Sequence, residues 1–383
     1  MTATAILFWA AIAGLAYIFA GYPLLVYAAS KLRPRREAGH VDVSDLRAAV
    51  LIAAHNETDV LTAKLRQLDA EPRVAAVHVG IDGRSPEVAR AAEAAGSGKV
   101  QVHRFEQRRG KPAVLSDLMT HVTQPVTIMA DARQVLADGA LEALVQRLAD
   151  PAVGVVSGEL VFRSDDATSA SEGVGAYWTY EKFIRKAEAN FRGVPGATGA
   201  LYAIRTELLR PIAASTLLDD VVIPMQAVEQ GSRCVVESAA IIYDRPSTDP
   251  GREAIRKRRT IAGAAQLVLA QPRWLLPWHN PIWWEFVSHK LARLLAPLLL
   301  LIAAVTNVVL ATGSRFYLVL LVLHVGFYLA AATGYAAQKL GRRLPGLSIP
   351  LMFVTLNGTT LLALADAARG RFKATWTRSE PAA

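Results

Sequence analysis

The chain has a single cysteine, so Cys234 has no partner for an internal disulfide, which fits a reducing compartment. Residues 5–29 carry no charged side chain, and a run of that length exceeds the roughly 20 apolar residues that span a hydrocarbon core. No basic residue precedes Ala5, and the run is too long for a secretory leader. Both facts oppose a cleaved signal peptide, although Ala28-Ala29-Ser30 resembles a small-residue cleavage site. No internal repeat and no low-complexity linker divides the chain. The other long apolar runs lack charged residues near their middles, which leaves little support for a transporter.

Length and composition allow a large α/β domain plus membrane segments. The chain has 383 residues and is 52% hydrophobic, high for a purely soluble protein. Its formal net charge of +9 suits nucleic acid, anionic lipid or an anionic substrate. The cations cluster beside apolar segments, so we read lipid bilayer and substrate as the partners, and no nucleic acid. Lys31, Arg33, Arg35 and Arg36 follow the first apolar run and place that end in the cytoplasm. Further apolar runs lie near 287–312, 316–337 and 346–368. With the α/β domain inside, three later spans put the C-terminus outside, yet Arg369, Arg371, Lys373 and Arg378 argue for inside. Pro345 and Pro350 flank the start of the last run, so a re-entrant or interfacial segment stays open there. The expected organisation is an anchor at 1–30, an α/β domain at 45–245, a basic and aromatic interfacial segment at 251–285, and a membrane region at 286–383.

Within the α/β domain, Ala48–Ala54 reads as a buried parallel strand and Thr58–Leu68 as a helix. Val74–Ile81 ends a second strand at Asp82-Gly83, Lys99–His103 suggests a third, and Gln124–Asp131 a fourth. Ligands of open α/β sheets sit at the carboxyl ends of the strands. His55-Asn56-Glu57, Asp82 and Asp131 all fall there, on separate strands. Further along, Arg256, Lys257, Arg258 and Arg259 precede Trp274, Trp278, Trp283 and Trp284, a pattern that suits the headgroup region of a bilayer. His289, Lys290 and Arg293 read as interface markers at the mouth of the next span.

The pair Asp219-Asp220 carries the chemistry most directly. Adjacent carboxylates beside an apolar run are costly to bury without a cation, a metal or a shared proton. Pro224 suits a first helical turn, which sets the pair just before a helix and aims it out of the domain. Asp131 at a strand end can hold Mg²⁺ or Mn²⁺ against a diphosphate, or simply cap a turn. Arg133 adds positive charge near phosphates or forms a structural ion pair. Lys111, with Pro112 at a helix start, suits an anion, or belongs to a solvated basic loop. The Gly193–Gly199 turn, including Thr198, either allows close backbone approach to a ligand or is an ordinary turn.

The ordered set His55-Asn56-Glu57, Asp82, Gly110-Lys111, Asp131-Ala132-Arg133, Thr198-Gly199-Ala200, Asp219-Asp220 and Arg256 to Thr260 resembles the processive, membrane-embedded family-2 glycosyltransferases. These include cellulose, chitin, hyaluronan and poly-N-acetylglucosamine synthases. The resemblance implies a GT-A fold and a nucleotide-sugar donor, usually a UDP-sugar. It also implies an inverting transfer of a hexosyl or N-acetylhexosaminyl unit that makes a β linkage. By position, it implies Glu57 and Asp82 at the nucleoside, Lys111 and Arg133 at the nucleotide, and Asp131 at the first carboxylate of D-x-D. It likewise implies Asp220, preceded by Asp219, as the catalytic base, and Arg259 against the donor diphosphate. Thr198 and Gly199 fall at the donor-sugar and acceptor side. The implied acceptor is a glycan or a lipid-linked molecule at the cytoplasmic face of the inner (plasma) membrane. Three departures stand out. Arg133 replaces the second Asp of D-x-D, which makes Mg²⁺ or Mn²⁺ dependence an open point. Arg256 and Thr260 replace the Gln and Trp of Q-x-x-R-W, which weakens long-chain processivity. The C-terminal spans are few. The rival reading is a non-catalytic GT-A-like scaffold of a polysaccharide synthesis or secretion complex.

Overall fold

The computed structural model describes residues 2–370 except 36, 97, 164–168, 245–249, 341, 343 and 345. Arg36, Pro345, Arg371, Lys373 and Arg378, used above for topology, therefore lie outside the described residues. An eight-stranded sheet forms the centre: β1 Ala48–Ala54, β2 Val74–Asp82, β3 Val100–Phe105, β4 Val126–Ala130, β5 Val135–Leu136, β6 Val153–Phe162, β7 Leu201–Arg205 and β8 Arg233–Asp244. Its order is β3-β2-β1-β4-β7-β6-β8-β5. The first four strands in that order run parallel, whereas β7 is antiparallel to both β4 and β6. All seven residues of β1 are buried, as expected for a strand covered on both faces.

The helices, numbered along the chain, are α1 Ala3–Leu32, α2 Thr58–Asp69, α3 Pro86–Ala95, α4 Lys111–Met119, α5 Ala140–Arg147, α6 Ser169–Phe191, α7 Asp219–Glu229, α8 Pro250–Ala270, α9 Trp283–Ala311, α10 Arg315–Lys339 and α11 Ser348–Ala368. Among the described residues, α1, α9, α10 and α11 are long and apolar enough to cross a membrane. The last of them is a continuous 21-residue helix that packs along α8.

Close packing of α4 on the sheet sets up the site. A Cβ at Gly80 on β2 would lie 2.3 Å from Val114 Cγ1 and 3.2 Å from Phe105 Cε2. Glycine there lets α4 approach, and α4 carries Lys111 at its first position. Gly80→Ala is expected to cost about 1–3 kcal/mol through overpacking, read as a lower thermal midpoint; unchanged stability would show that α4 shifts freely.

Two expectations about the interfacial region are corrected by burial. Trp274 is fully buried in the main core rather than at a headgroup surface, and Trp278 is exposed. Trp283 donates to the Leu275 carbonyl and Trp284 to the Tyr17 hydroxyl, at 2.7 and 2.9 Å. Indole rings beside a folded domain bury more area against protein than at a polar boundary. His289 is likewise an internal side chain, with Nδ1 2.8 Å from Glu188 and Nε2 2.9 Å from Glu181. Arg293 donates to Glu181, and the Tyr22 hydroxyl donates to Glu188 at 2.5 Å. Burial works against the Glu181 carboxylate, yet Arg293 and His289 hold it well below the usual carboxylate range. The reason lies on α6: two buried acids there require partners, and α1 and α9 supply them. Each of these helices carries a π-turn where it supplies them, at Tyr17–Gly21 and Phe286–Leu291, with Tyr17 Oη 2.7 Å from Ser288 Oγ.

Candidate active site

The site begins with a loop held from beneath. Asp82, at the end of β2, is fully buried and accepts from the backbone N–H groups of Arg109 and Gly110, at 2.7 and 2.8 Å. Gly110 has φ +87°, a left-handed conformation that suits glycine and turns the chain into α4. The structure thus commits the Asp82 carboxylate to the loop that presents Lys111. His55 Nδ1 lies 2.5 Å from the Asp82 carbonyl oxygen. Glu57 folds back and accepts from the N–H groups of His55 and Asn56, at 2.9 and 3.1 Å.

Lys111 joins two acids that are far apart in the chain. Its Nζ is 2.9 Å from Asp131 Oδ1 and 3.0 Å from Asp219 Oδ2. Burial opposes its charge, but Asp131 and Asp219 together hold it well above the usual lysine value. The Lys111 and Asp219 side chains are largely buried, whereas that of Asp131 is 37% exposed and stays open on one side.

The sequence placed Asp219 and Asp220 before a helix and aimed them out of the domain; both points need correction. They form the first turn of α7, with Pro224 inside the helix, and Asp219 is only 5% exposed. The cation at Lys111 makes the inward position affordable for Asp219. Asp220 faces the glycine turn, since a Cβ on Gly199 would stand 3.1 Å from Asp220 Oδ2. The turn is tied to Asp220 through the Ala197 N–H, which donates to the Asp220 carbonyl at 2.8 Å. Thr198 donates its N–H to the buried Ser157 hydroxyl at 2.9 Å. Burial first, and Asp219 second, push Asp220 up to about 6, while Lys290 and Lys111 act in the opposite sense.

Two expected residues lie elsewhere in the arrangement. Arg133 donates to Asp244 Oδ2 at 2.6 Å, the ion-pair alternative considered above. Arg259 sits on α8, and among the described residues it makes no hydrogen bond or ion pair. Its neighbour Arg258 pairs with Asp366 on α11. The remaining residues form a contiguous chain of contacts from Glu57 through His55, Asp82, the Gly110 turn, Lys111, Asp131 and Asp219 to Asp220 and Gly199. Buried acids, a shared lysine and a raised carboxylate beside a glycine turn suit proton removal next to a bound anion.

A family model described as glycosyltransferase like family 2 matches residues 47–263. The chain belongs to that family. Among solved structures it is similar to the mannosyltransferase PcManGT from Pyrobaculum calidifontis in complex with GDP-Man and Mn²⁺. That likeness has a TM-score of 0.69 and 23% identity over 95% of this chain and 99% of that one. Mannosyl-3-phosphoglycerate synthase from Rubrobacter xylanophilus gives a TM-score of 0.42 and 12% identity over 60% and 76%. No curated protein sequence matches. The fold of this family-2 glycosyltransferase is therefore GT-A, as its sequence order implied.

The glycosyltransferase site also contains residues that sequence reasoning passed over. Lys64 is 3% exposed, and its ammonium has no hydrogen-bond partner among the described residues. Burial lowers it to about 8, with Asp131 pulling the other way. A signal was present: Lys64 interrupts the apolar stripe Leu61, Leu65 and Leu68. The fully buried Tyr202 hydroxyl also lacks a hydrogen-bond partner among the described residues and feels Asp219, Asp220 and Asp131. Gly263 and Gln266 on α8 fix the segment before the acids. A Cβ on Gly263 would lie 2.5 Å from Leu218 Cγ, and Gln266 Oε1 accepts from the Leu217 N–H at 3.0 Å.

Proposed function

We propose that this family-2 glycosyltransferase is an inverting enzyme that moves a sugar from a nucleoside-diphosphate sugar to a glycan or lipid-linked acceptor. It does so where the catalytic domain meets the cytoplasmic face of the plasma membrane. The observation that carries this reading is the Lys111 clamp across Asp131 and Asp219, with Asp220 beside Gly199 as a raised carboxylate that has no ion-pair partner among the described residues. In this reading Asp220 removes the proton of an acceptor hydroxyl. The oxygen attacks the anomeric carbon from the face opposite the diphosphate and forms the new glycosidic C–O bond, while the bond from that carbon to the diphosphate oxygen breaks and its electron pair leaves on the nucleotide. Lys111 and Arg259 offset negative charge on the departing diphosphate. Glu57 and Asp82 shape the nucleoside side of the pocket, and Thr198 and Gly199 the sugar side. A dry position under α8 and α9 limits transfer to water.

A divalent cation fits this donor set. Mg²⁺ is commonly held by one or two carboxylates together with substrate phosphates, and the open side of Asp131 provides one. Bound there, Mg²⁺ or Mn²⁺ would supply positive charge against the diphosphate. Arg133, turned to Asp244, does not compete with it. The altered Arg256 and Thr260 favour a single transfer or a short product over a long polysaccharide.

The test is a panel of UDP- and GDP-sugars with the full chain in detergent micelles, following nucleotide release and product mass. Turnover with one donor is expected. If no donor binds, with or without Mn²⁺, the scaffold reading replaces this one.

A further inference from the structure

A second group of cations lies at the opposite edge of the sheet from Lys111. β8 runs parallel to β6, and β6 and β4 are both antiparallel to β7. The amino end of β8 is therefore at the edge away from Asp131, which follows the carboxyl end of β4. An open cavity of about 220 Å³ lies there, lined by Arg35, Arg192 and Arg233, by Ser232 ahead of β8, and by Pro281 and Ile282 ahead of α9. One water needs only roughly 10–15 Å³ of such space, so the cavity has room for a phosphate group. Val228 on its wall is roughly 12 Å along α7 from Asp220, at about 1.5 Å per residue. The cavity is thus separate from the candidate catalytic centre.

Its guanidinium groups are held in place but not matched by acids. Arg233 is 8% exposed; its Nε donates to the Arg192 carbonyl at 3.0 Å and its Nη2 to the Ala189 carbonyl at 2.7 Å. The nearest acid to Arg233 is Asp150, at 3.7 Å, and Asp150 already accepts from the Ala38 and Ala152 N–H groups. Arg192 lies 4.0 Å from the fully buried Glu285. Among the described residues, Arg35 has no ion pair, and neither the Arg35 nor the Arg192 guanidinium donates a hydrogen bond. The Arg35 backbone N–H donates to the Asn190 carbonyl at 2.9 Å, which pins the chain leaving α1 against the end of α6. Three guanidiniums therefore face two acids, neither within hydrogen-bond distance, and the unused donors of Arg35 and Arg192 suit an anion with several oxygens.

The surroundings indicate which anion. Arg35 is the third residue beyond Leu32, the end of α1, and Ile282 directly precedes Trp283, the start of α9. Both helices are long and apolar enough to cross a membrane. Leu32 is 82% exposed, and Trp278, three residues before Pro281, is 74% exposed. An exposed indole and leucine flanking a cationic cavity suit the boundary between headgroups and hydrocarbon. A soluble anion gains nothing from these apolar neighbours.

We propose that this cavity binds the phosphate of an anionic phospholipid, with Arg35 and Arg192 as its main contacts and Arg233 behind them. The planar guanidinium forks match phosphate oxygens two at a time. The acyl chains leave past Pro281 and Ile282 toward α9. A lipid seated this way clamps the chain after α1, the end of α6 and the start of α9 together, and so fixes the domain on its membrane helices.

The test is calorimetric binding of dihexanoyl phosphatidylglycerol to the full chain in neutral detergent micelles. Dihexanoyl phosphatidylcholine and glycerol 3-phosphate serve as the zwitterionic and the tail-free comparisons. The phosphatidylglycerol is expected to bind at least tenfold more tightly than either, and to raise the thermal midpoint. Arg35→Gln and Arg192→Gln remove exposed side chains that brace nothing, so their midpoints without lipid should match the parent. Each should weaken phosphatidylglycerol binding at least fivefold. Lys339→Gln, at the end of α10 and outside the cavity, should change it less than twofold. Equal affinity for the two lipids overturns the proposal, and so does glycerol 3-phosphate that binds as tightly as the phosphatidylglycerol. Unchanged affinity in both arginine variants overturns it too. A loss in Lys339→Gln as large as theirs would mean diffuse surface attraction in place of a site.

Discussion

Replacing Asp220 with Asn is expected to lower turnover about a thousandfold, within the range for loss of a general base, while donor affinity changes little. The amide keeps the shape of the side chain beside Gly199 but cannot take up a proton. The pH dependence follows from the environment of the carboxylate. Burial first and Asp219 second raise Asp220 to about 6, and a base must be ionised to act. Activity should therefore rise tenfold per pH unit up to about 6 and level off above it, and the residual activity of the Asn variant should lose that step. Stability should move in the opposite sense. A carboxylate raised above its ordinary 3.8 favours the folded state most below that value and loses this contribution as pH rises through 6. At pH 8 the Asn variant is thus expected to be more stable, by up to about 3 kcal/mol. Full activity in Asp220→Asn would remove the base assignment.

Lys111→Met should be the most damaging single change to the folded site. It removes the cation that lies 2.9 Å from Asp131 and 3.0 Å from Asp219. The largely buried Asp219 then has lost its cation, with Asp131 open on one side next to it, and breaking a buried pair of this kind costs about 3–5 kcal/mol. A thermal melt would show this directly. There is a second, more specific consequence. Lys111 is among the groups that hold Asp220 down, so its loss should drive Asp220 higher and shift the acid limb of the rate profile above pH 6. An unshifted limb in a folded Lys111→Met protein would mean that Asp220 is not the group that titrates. Arg is a poor replacement, because a planar fork does not reproduce a compact ammonium between two oxygens.

These expectations draw on different levels of information. The apolar run of β1 and the uncharged stretch of α1 could be read directly, because strand burial and membrane length are local properties of a short segment. Asp82 and Asp131 could be placed at strand ends for the same reason. The direction of Asp219 and Asp220 could not. Proline at 224 suggested a first turn there, but the helix starts five residues earlier, because Lys111 offsets the charge that would otherwise keep Asp219 in solvent. Trp274 and His289 were misplaced for a related reason: their types suit a lipid boundary, and only packing against the domain decides otherwise.

By itself, the sequence determined an α/β sheet with acids at its strand ends, four apolar helices, and an ordered motif set that belongs to a family. The tertiary structure decided which of those acids share a cation, and that Arg133 turns to Asp244. Periodicity and charge sparsity are written in neighbouring residues. The partner of a buried charge is chosen by strand order and helix packing among residues far apart in the chain, where the cost of an unpaired ion selects the arrangement that pairs it.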